Sequence, residues 1–218
     1  VINRGPEPAK LHILPHLWFR NTGWEESGEP LPVLVERRTM PDLSVIAATH
    51  WDLGQRHLYC EGAEELLFTN NETNTQKLFG VPNRTAYVKD GINEFIVAGN
   101  KAAVNPEGLG TKAAAHYQIT ALPGRAHVIR LRFSDKGPSP REPLFGRAFE
   151  HLFAQRRQEA NHFYSALAPE SVDGNTRQLM RQAMAGMLWS KQTYIYEASR
   201  WLHEHETTAV RNTQWPHL

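Results

Sequence analysis

The hydrophobic pattern of the chain changes period once, and this change constrains the fold more than any other feature. Up to Phe133 the apolar residues form short runs broken by Gly, Pro and Asn, which is typical of strands joined by polar turns. From Arg147 onward they recur every three or four residues, as on one face of a helix. The pattern predicts an antiparallel β-sandwich-like domain over residues 1–133, a Pro- and Gly-rich linker over 134–146, and helices over 147–218.

Two hairpins are predicted within the β-rich part. Its apolar runs occupy residues 11–14, 17–19, 44–49, 55–60, 65–69, 114–120 and 127–133. The run 55–60 is separated from 65–69 by Glu61-Gly62-Ala63, a hairpin-like break. The last two runs flank Pro123-Gly124, which is a turn signal, and they form the strongest hairpin prediction in the chain.

Two amphipathic helices are predicted in the C-terminal part. The first runs from 147 to 168 and ends before Pro169, since a proline disfavours helix at the residue that precedes it. Asp173 or Asn175 is expected to cap the second, which runs from about Thr176 to near Glu197. The apolar face of the second helix is too broad for one partner helix to cover. We therefore expect a larger helical domain of which these residues are the opening.

Composition excludes several classes of function. Lys and Arg number 24 against 23 Asp and Glu, so the charge balance favours neither a nucleic-acid partner nor an anionic lipid surface. No apolar run approaches the roughly 18 residues of a membrane span, which predicts a soluble chain. Cys60 is the single cysteine, so no internal disulfide is possible. With no signal peptide after Val1, the cytoplasm is expected, although a mature cleaved protein would also begin without Met.

Few residues stand out as carriers of chemistry. The densest polar stretch, residues 69–77, offers hydrogen-bond donors and acceptors that suit a hydroxyl-rich ligand, or it is a solvated loop. Six tryptophans are candidates for stacking on sugar rings, and the alternative for each is a core position. They are Trp18, Trp24, Trp51, Trp189, Trp201 and Trp215. His203-Glu204-His205 lacks a third ligand at a suitable spacing, so we expect no metal site. No serine-elbow, phosphate-cradling or HExxH motif is present.

Seven short stretches of sequence, here called phrases, resemble the bacterial branch of glycoside hydrolase family 63. They follow one another in the same order along about 200 residues. That branch comprises large glucosidase-like and mannosylglycerate-hydrolase-like proteins. The matching phrases are residues 14–22, 58–62, 66–74, 78–80, 87–93, 110–117 and 180–192.

The resemblance implies an N-terminal β-sandwich-like domain followed by an (α/α)6 barrel. Residues 147–168 would be a connecting helix, and residues from about 172 onward would begin the barrel, which this chain leaves incomplete. Family members of this kind use an Asp general acid and a Glu or Asp general base from the barrel. Both would lie beyond Leu218, so no catalytic residue is assigned here, and no cofactor is expected.

Two functions follow as hypotheses. In the first, the intact bacterial, cytoplasmic enzyme hydrolyses α-glucosidic or α-mannosidic bonds with inversion, and this chain alone is inactive. Its partners would then be a carbohydrate and the remainder of its own barrel, with no nucleic acid and no membrane. In the second, the chain is a free-standing carbohydrate-binding or interaction module without catalysis.

Eight residues in the matching phrases are candidates for substrate binding. They are Asn71, Glu72, Asn74, Lys89, Asp90, Trp189, Lys191 and Gln192. The reason is that in this architecture a loop of the β-domain can reach the mouth of the barrel. The rival interpretation is that these phrases hold the two domains together, for example through an ion pair of Lys191.

Overall fold

The structure is a computed structural model that describes residues 1–19, 30–40, 42–138, 144–191 and 198–199, with backbone only at 38–40. The chain divides into two compact units, Val1–Arg147 and Ala148–Leu218, and each is described by itself. Among the described residues, no helix has the length and apolar character needed to cross a membrane.

Nine strands of the first unit form two antiparallel sheets. They are β1 (Ala9–Ile13), β2 (His16–Trp18), β3 (Val33–Met40), β4 (Leu43–His50), β5 (Gly54–Glu61), β6 (Glu65–Thr69), β7 (Leu109–Gly110), β8 (Lys112–Ala121) and β9 (Leu131–Ser134). In the first sheet β8 pairs with β1 and β2 along one edge and with β6 along the other. The second sheet has the order β7-β3-β4-β5-β9. Antiparallel sheets followed by helices confirm the coarse fold prediction.

The two sheets share one core. Side chains at alternate positions of each sheet point inward because successive residues of a strand face opposite sides. The buried members from the first sheet are Phe68, Ala113, Ala115, Tyr117 and Ile119, and those from the second are Leu34, Ile46, Ala48, Leu58 and Cys60. Burial raises the pKa of the Cys60 thiol to about 12, so this residue is an inert core side chain.

The opposite side of the first sheet, here called the outer face, carries the alternate β8 residues Lys112, Ala114, His116 and Gln118. A short helix, α2 (Gly91–Ala98), packs on it through Ile92 and Phe95. Ile92 shares a second buried cluster with Leu67, Ala114 and Val104. The outer face is therefore covered in its middle, while polar residues lie toward both ends of β8.

Both hairpin predictions were wrong. The β9 strand pairs with β5 in the second sheet and not with β8, so the turn around Pro123-Gly124 leads from one sheet to the other. The β5 and β6 strands likewise belong to different sheets, and Gly62 between them adopts φ 67°. The physical reason is that turn chemistry fixes only a reversal of the chain. Which edge the next strand pairs with depends on the edges already occupied, and β1, β2 and β6 occupy both edges of β8.

The sequence pattern missed strands β3 and β7 of the first unit, and it also missed two short helices and a 3₁₀ turn. The helical elements are α1 (Thr75–Phe79), α2, and the 3₁₀ turn Lys101–Ala103. Helices of five and eight residues are unstable in isolation, so tertiary packing and caps make them. The Asn74 side chain caps α1 by accepting from Lys77 N at 3.0 Å, and Gly80 and Gly99 end the two helices in the left-handed region.

The second unit contains two long helices, α3 (Arg147–Leu167) and α4 (Gly174–Ser190). The break before Pro169 and the Asp173 cap are confirmed, since Asp173 Oδ1 accepts from Thr176 N at 2.8 Å. The prediction that the second helix continues to near Glu197 was wrong, because the helix ends at Ser190 and Lys191 has an extended backbone. Residues 192–197 lie outside the described residues. Arg181 joins the helices by donating to Asn161 Oδ1 at 2.7 Å and lying over the Tyr164 ring at 5.0 Å. No residue of α3 or α4 is buried.

Candidate functional site

Two segments that carry five of the predicted site residues lie side by side in the first unit. Asn70 N donates to Tyr87 O at 2.8 Å, and Lys89 N donates to Glu72 O at 3.0 Å. These two backbone bonds align residues 70–74 with residues 87–90. The structure therefore brings together Asn71, Glu72, Asn74, Lys89 and Asp90.

Asn74 is the hydrogen-bonding centre of this pair of segments. Its Nδ2 donates to both oxygens of the Asp90 carboxylate, at 3.3 and 3.1 Å. Its Oδ1 accepts from Lys77 N and from Asn83 Nδ2 at 3.1 Å. Since one amide holds the start of α1 and the carboxylate before α2, Asn74 orients Asp90 and is itself fixed in place.

Asn71 links the same segments to the ends of two strands. Its backbone N donates to Thr111 Oγ1 at 2.7 Å, and its Nδ2 donates to Phe19 O at 3.3 Å. Phe19 immediately follows β2, and Thr111 immediately precedes β8. Asn71 thus fixes the loop against the end of the outer face at which Lys112 lies.

Lys112 was not singled out from the sequence, yet it lies at the middle of this arrangement. Its cross-strand neighbours are Trp18 on β2 and Thr69 on β6, and directly opposed residues project to the same side of a sheet. Its Nζ donates to Lys89 O at 3.2 Å. We call Trp18, Asn71, Lys89, Asp90 and Lys112 the Lys112 cluster.

The electrostatics of the cluster favour contact with electron-rich groups. Burial, and then the charge of Lys89, lower the pKa of Lys112, while Asp90 acts in the opposite direction. Burial, and then Lys112, lower the pKa of His16 on the neighbouring strand. An ammonium whose hydration is reduced by burial gains more from an oxygen ligand than one in open water does.

The cluster contains one exposed aromatic ring. Trp18 is 52% exposed on β2. The next ring along the chain, Phe19, packs against the core between the sheets, 4.7 Å from the His50 ring between centroids. The surface at the cluster therefore offers the flat apolar ring of Trp18 beside amide, carboxylate and ammonium groups.

The remaining predicted residues lie elsewhere in the chain. Trp189 is 89% exposed near the end of α4, and Lys191, also exposed, directly follows this helix. Both belong to the second unit. Gln192 lies outside the described residues, as do Trp24, Trp201, Trp215 and the His203-Glu204-His205 segment.

A separate cleft of about 690 Å³ in the first unit is lined by acidic side chains and contains none of the predicted site residues. Its carboxylates belong to Glu36, Asp42, Glu64 and Glu65. Within the described parts of the chain, no three His, Cys, Asp or Glu side chains are grouped so that they could hold a metal ion.

Comparison with known proteins shows a relative in yeast. The chain is 30% identical to the uncharacterized protein YMR196W of Saccharomyces cerevisiae, in an alignment of 256 positions that takes in 97% of the chain. The same alignment takes in 23% of the relative, so the chain spans less than a quarter of its length. No family model matches the chain, and no solved structure matches it.

Proposed function

We propose that this chain is the N-terminal part of an inverting glycoside hydrolase that acts on α-glucosidic or α-mannosidic bonds. The first unit is then a β-sandwich-like domain, and the second is the opening of an (α/α)6 barrel that carries the catalytic carboxylates outside this chain. Support comes from the seven ordered phrases and from the two sheets that share one core. The greater length of the yeast relative is compatible with a longer parent protein.

One observation carries the carbohydrate-binding part of this proposal. The Lys112 cluster draws its members from four separate phrases of the resemblance, at residues 14–22, 66–74, 87–93 and 110–117. Sugar hydroxyls both donate and accept, so amides, carboxylates and ammonium groups suit them. The C–H face of a pyranose stacks on an aromatic ring, and the half-exposed Trp18 presents one.

The test is made on the protein read from the gene, extended past Leu218. We expect it to hydrolyse an aryl α-glucoside or α-mannoside, with inverted configuration in the product observed by NMR, and the 218-residue chain to show no turnover. Lys112→Met and Trp18→Ala should each lower kcat/KM about tenfold or more, the loss typical of one removed charge-assisted or stacking contact. Lys10→Met is the matched control, because Lys10 lies on β1, away from the cluster.

Three results would contradict the proposal. Turnover by the 218-residue chain would place the catalytic acids inside it. A reading frame that stops directly after Leu218 would remove the barrel. Equal losses of kcat/KM in the Lys112→Met and Lys10→Met variants would show that the Lys112 cluster does not bind the sugar.

The second candidate function is a free-standing carbohydrate-binding or interaction module. It is favoured by the fact that the first unit has its own core and assembles the whole Lys112 cluster. It predicts saccharide binding by the 218-residue chain, detectable by calorimetry and lost on Trp18→Ala, together with a stop codon after Leu218. The hydrolase proposal predicts weak binding or none before the barrel is added.

The proposed barrel also accounts for the exposed apolar residues of α4. Under the proposal these residues, among them Met187 and Trp189, are covered by later helices of the barrel.

We also propose a cytoplasmic location, because the single cysteine is a buried free thiol that requires no oxidising compartment.

A further inference from the structure

A polar cleft of about 500 Å³ lies between the two helices of the second unit, and its size is typical of small-molecule sites. The α4 helix lines it with two guanidinium groups and two carboxamides, and α3 adds a phenol and a hydroxyl. These groups belong to Arg177, Arg181, Gln178, Gln182, Tyr164 and Ser165. We call this the arginine cleft. None of the described residues that line it carries a carboxylate.

Arg181 is held in one orientation at the wall of the cleft. Its guanidinium lies over the Tyr164 ring, 5.0 Å from the centroid, and its Nη1 donates to Asn161 Oδ1 at 2.7 Å. Stacking on a ring engages the face of the guanidinium plane and leaves the N–H groups along its edges available. The plane carries five N–H donors, and Asn161 engages one of them, so the others are available to an oxyanion.

Arg177 lies one helical turn before Arg181, so the two side chains project from the same side of α4. Both are half-buried. Within the part of the chain that the structure describes, the Arg177 side chain makes no hydrogen bond and no ion pair. The acidic residue that precedes it on the helix, Asp173, directs its two carboxylate oxygens to the backbone N and the hydroxyl of Thr176 instead.

The position of Arg177 does not favour the stability of α4. Two like charges at a spacing of four residues destabilise a helix. A cation close to a helix N-terminus also opposes the helix dipole, and the first turn of α4 contains no acidic residue that would offset it. Partial burial further reduces the hydration of the charge. An oxyanion bound between Arg177 and Arg181 would relieve all three costs.

We propose that the arginine cleft binds a small phosphate ester that also carries hydroxyl groups, such as a sugar phosphate. A phosphate monoester has a charge of about −1.5 to −2 at neutral pH, which matches two guanidinium groups, whereas a carboxylate neutralises one. Guanidinium groups bind phosphate through paired N–H···O bonds. The side chains of Ser165, Gln178 and Gln182 both donate and accept, which suits the hydroxyl groups of the ligand.

This inference is independent of the proposed function, because the arginine cleft and the Lys112 cluster belong to different units. Calorimetry on the 218-residue chain tests it with three hexose probes that differ in one group: glucose 6-phosphate, glucuronate and glucose. We expect glucose 6-phosphate to bind about tenfold or more tightly than glucuronate. Glucose should not compete with it, because it offers no anion to the two guanidinium groups.

The Arg177→Gln variant should bind glucose 6-phosphate about tenfold or more weakly, because it loses charge-assisted hydrogen bonds. Arg177→Lys should recover only part of the affinity, since an ammonium group lacks the planar fork. Arg156→Gln is the matched control, because it removes an exposed arginine of α3 that already pairs with Glu159 at 2.9 Å. Helical circular dichroism should be equal in all these variants.

NMR of the unaltered chain gives a readout that needs no variant. The side-chain Nε–H signals of Arg177 and Arg181 should shift on addition of glucose 6-phosphate, and the absence of such shifts would overturn the proposal even if Arg177→Gln failed to fold. Equal weakening in Arg177→Gln and Arg156→Gln would reduce the effect to net charge and reject the site. Glucuronate or inorganic phosphate that binds as tightly as glucose 6-phosphate would reject a phosphate ester as its ligand.

Discussion

At the scale of single residues, two glycines determine how closely the polar segments approach the first sheet. A Cβ added to Gly91 would lie 2.1 Å from Ala103 O, and one added to Gly110 would lie 2.3 Å from Thr69 O. Neither distance leaves room for a methyl group. Because Gly91 has no side chain, α2 can start directly against the 3₁₀ turn at Ala103. This position of α2 places Lys89 and Asp90, which precede the helix, beside residues 70–74.

The substitution Gly91→Ala should therefore destabilise the protein. We expect a loss of about 1 to 3 kcal/mol in the free energy of unfolding, the usual cost of overpacking a well-filled site. Urea unfolding followed by circular dichroism measures it. Gly186→Ala is the control, because a Cβ there meets nothing within 4 Å inside α4. It should instead strengthen the helix by about 1 kcal/mol. The same sign of change in both variants would contradict this account.

At the scale of elements, local signals gave the positions of most strands and of the two long helices, but not the partners of the strands. Pro169 and Asp173 act on neighbouring backbone groups, so the end of α3 and the start of α4 were readable in the sequence. The strands around Pro123-Gly124 were also readable as strands, yet β8 and β9 lie in different sheets. Pairing depends on free edges, and no local pattern reports them.

The Asp173 cap gives a test at this scale. The Asp173 carboxylate accepts hydrogen bonds from the backbone N and from the hydroxyl of Thr176. These two bonds, the backbone one with the larger effect, hold the pKa of Asp173 below the ordinary value of 3.8. A lowered carboxyl pKa means that the stabilising contribution is complete above that ordinary value and is lost as the pH falls through the lowered one.

Asp173→Ala should therefore reduce the helical circular dichroism signal at pH 7, while Asp173→Asn, which still offers a capping oxygen, should keep most of it. As the pH falls through the lowered pKa of Asp173, the unaltered chain should approach the alanine variant, since a protonated carboxyl is a weaker acceptor. A helical signal in Asp173→Ala equal to that of the unaltered chain at pH 7 would show that the cap does not hold the start of α4.

At the scale of the whole molecule, the two units differ in how far they bury their apolar side chains. The first unit buries side chains from both sheets in one core, and it adds a second cluster beneath α2. The described helices of the second unit, α3 and α4, bury none, and Leu179, Met187 and Trp189 are largely exposed. An amphipathic helix gains most of its stability from covering its apolar face, so α4 needs more partner surface than it has here.

We accordingly expect the 218-residue chain to bind a hydrophobic dye such as anilinonaphthalene sulfonate. Replacing Met187 and Trp189 together by glutamine should lower the fluorescence enhancement severalfold, because these side chains supply much of the exposed apolar surface of α4. Replacing Val97 by glutamine, also exposed but in α2 of the first unit, is the control and should change it little. Equal decreases in both proteins would assign the dye site elsewhere.

The sequence by itself determined the type of both long helices and of most strands, with β3 as an exception, and it determined the change from strands to helices. It also marked residues 69–77 and 87–90 as polar segments of interest, because these properties depend on residues close together along the chain. Only the tertiary structure decided that the two segments meet at Lys112 and Trp18, since a single Lys or Trp within a strand has no local signature. Only the tertiary structure joined His12 to His116, 104 positions apart, because β1 and β8 must pair before their side chains share a face of the sheet.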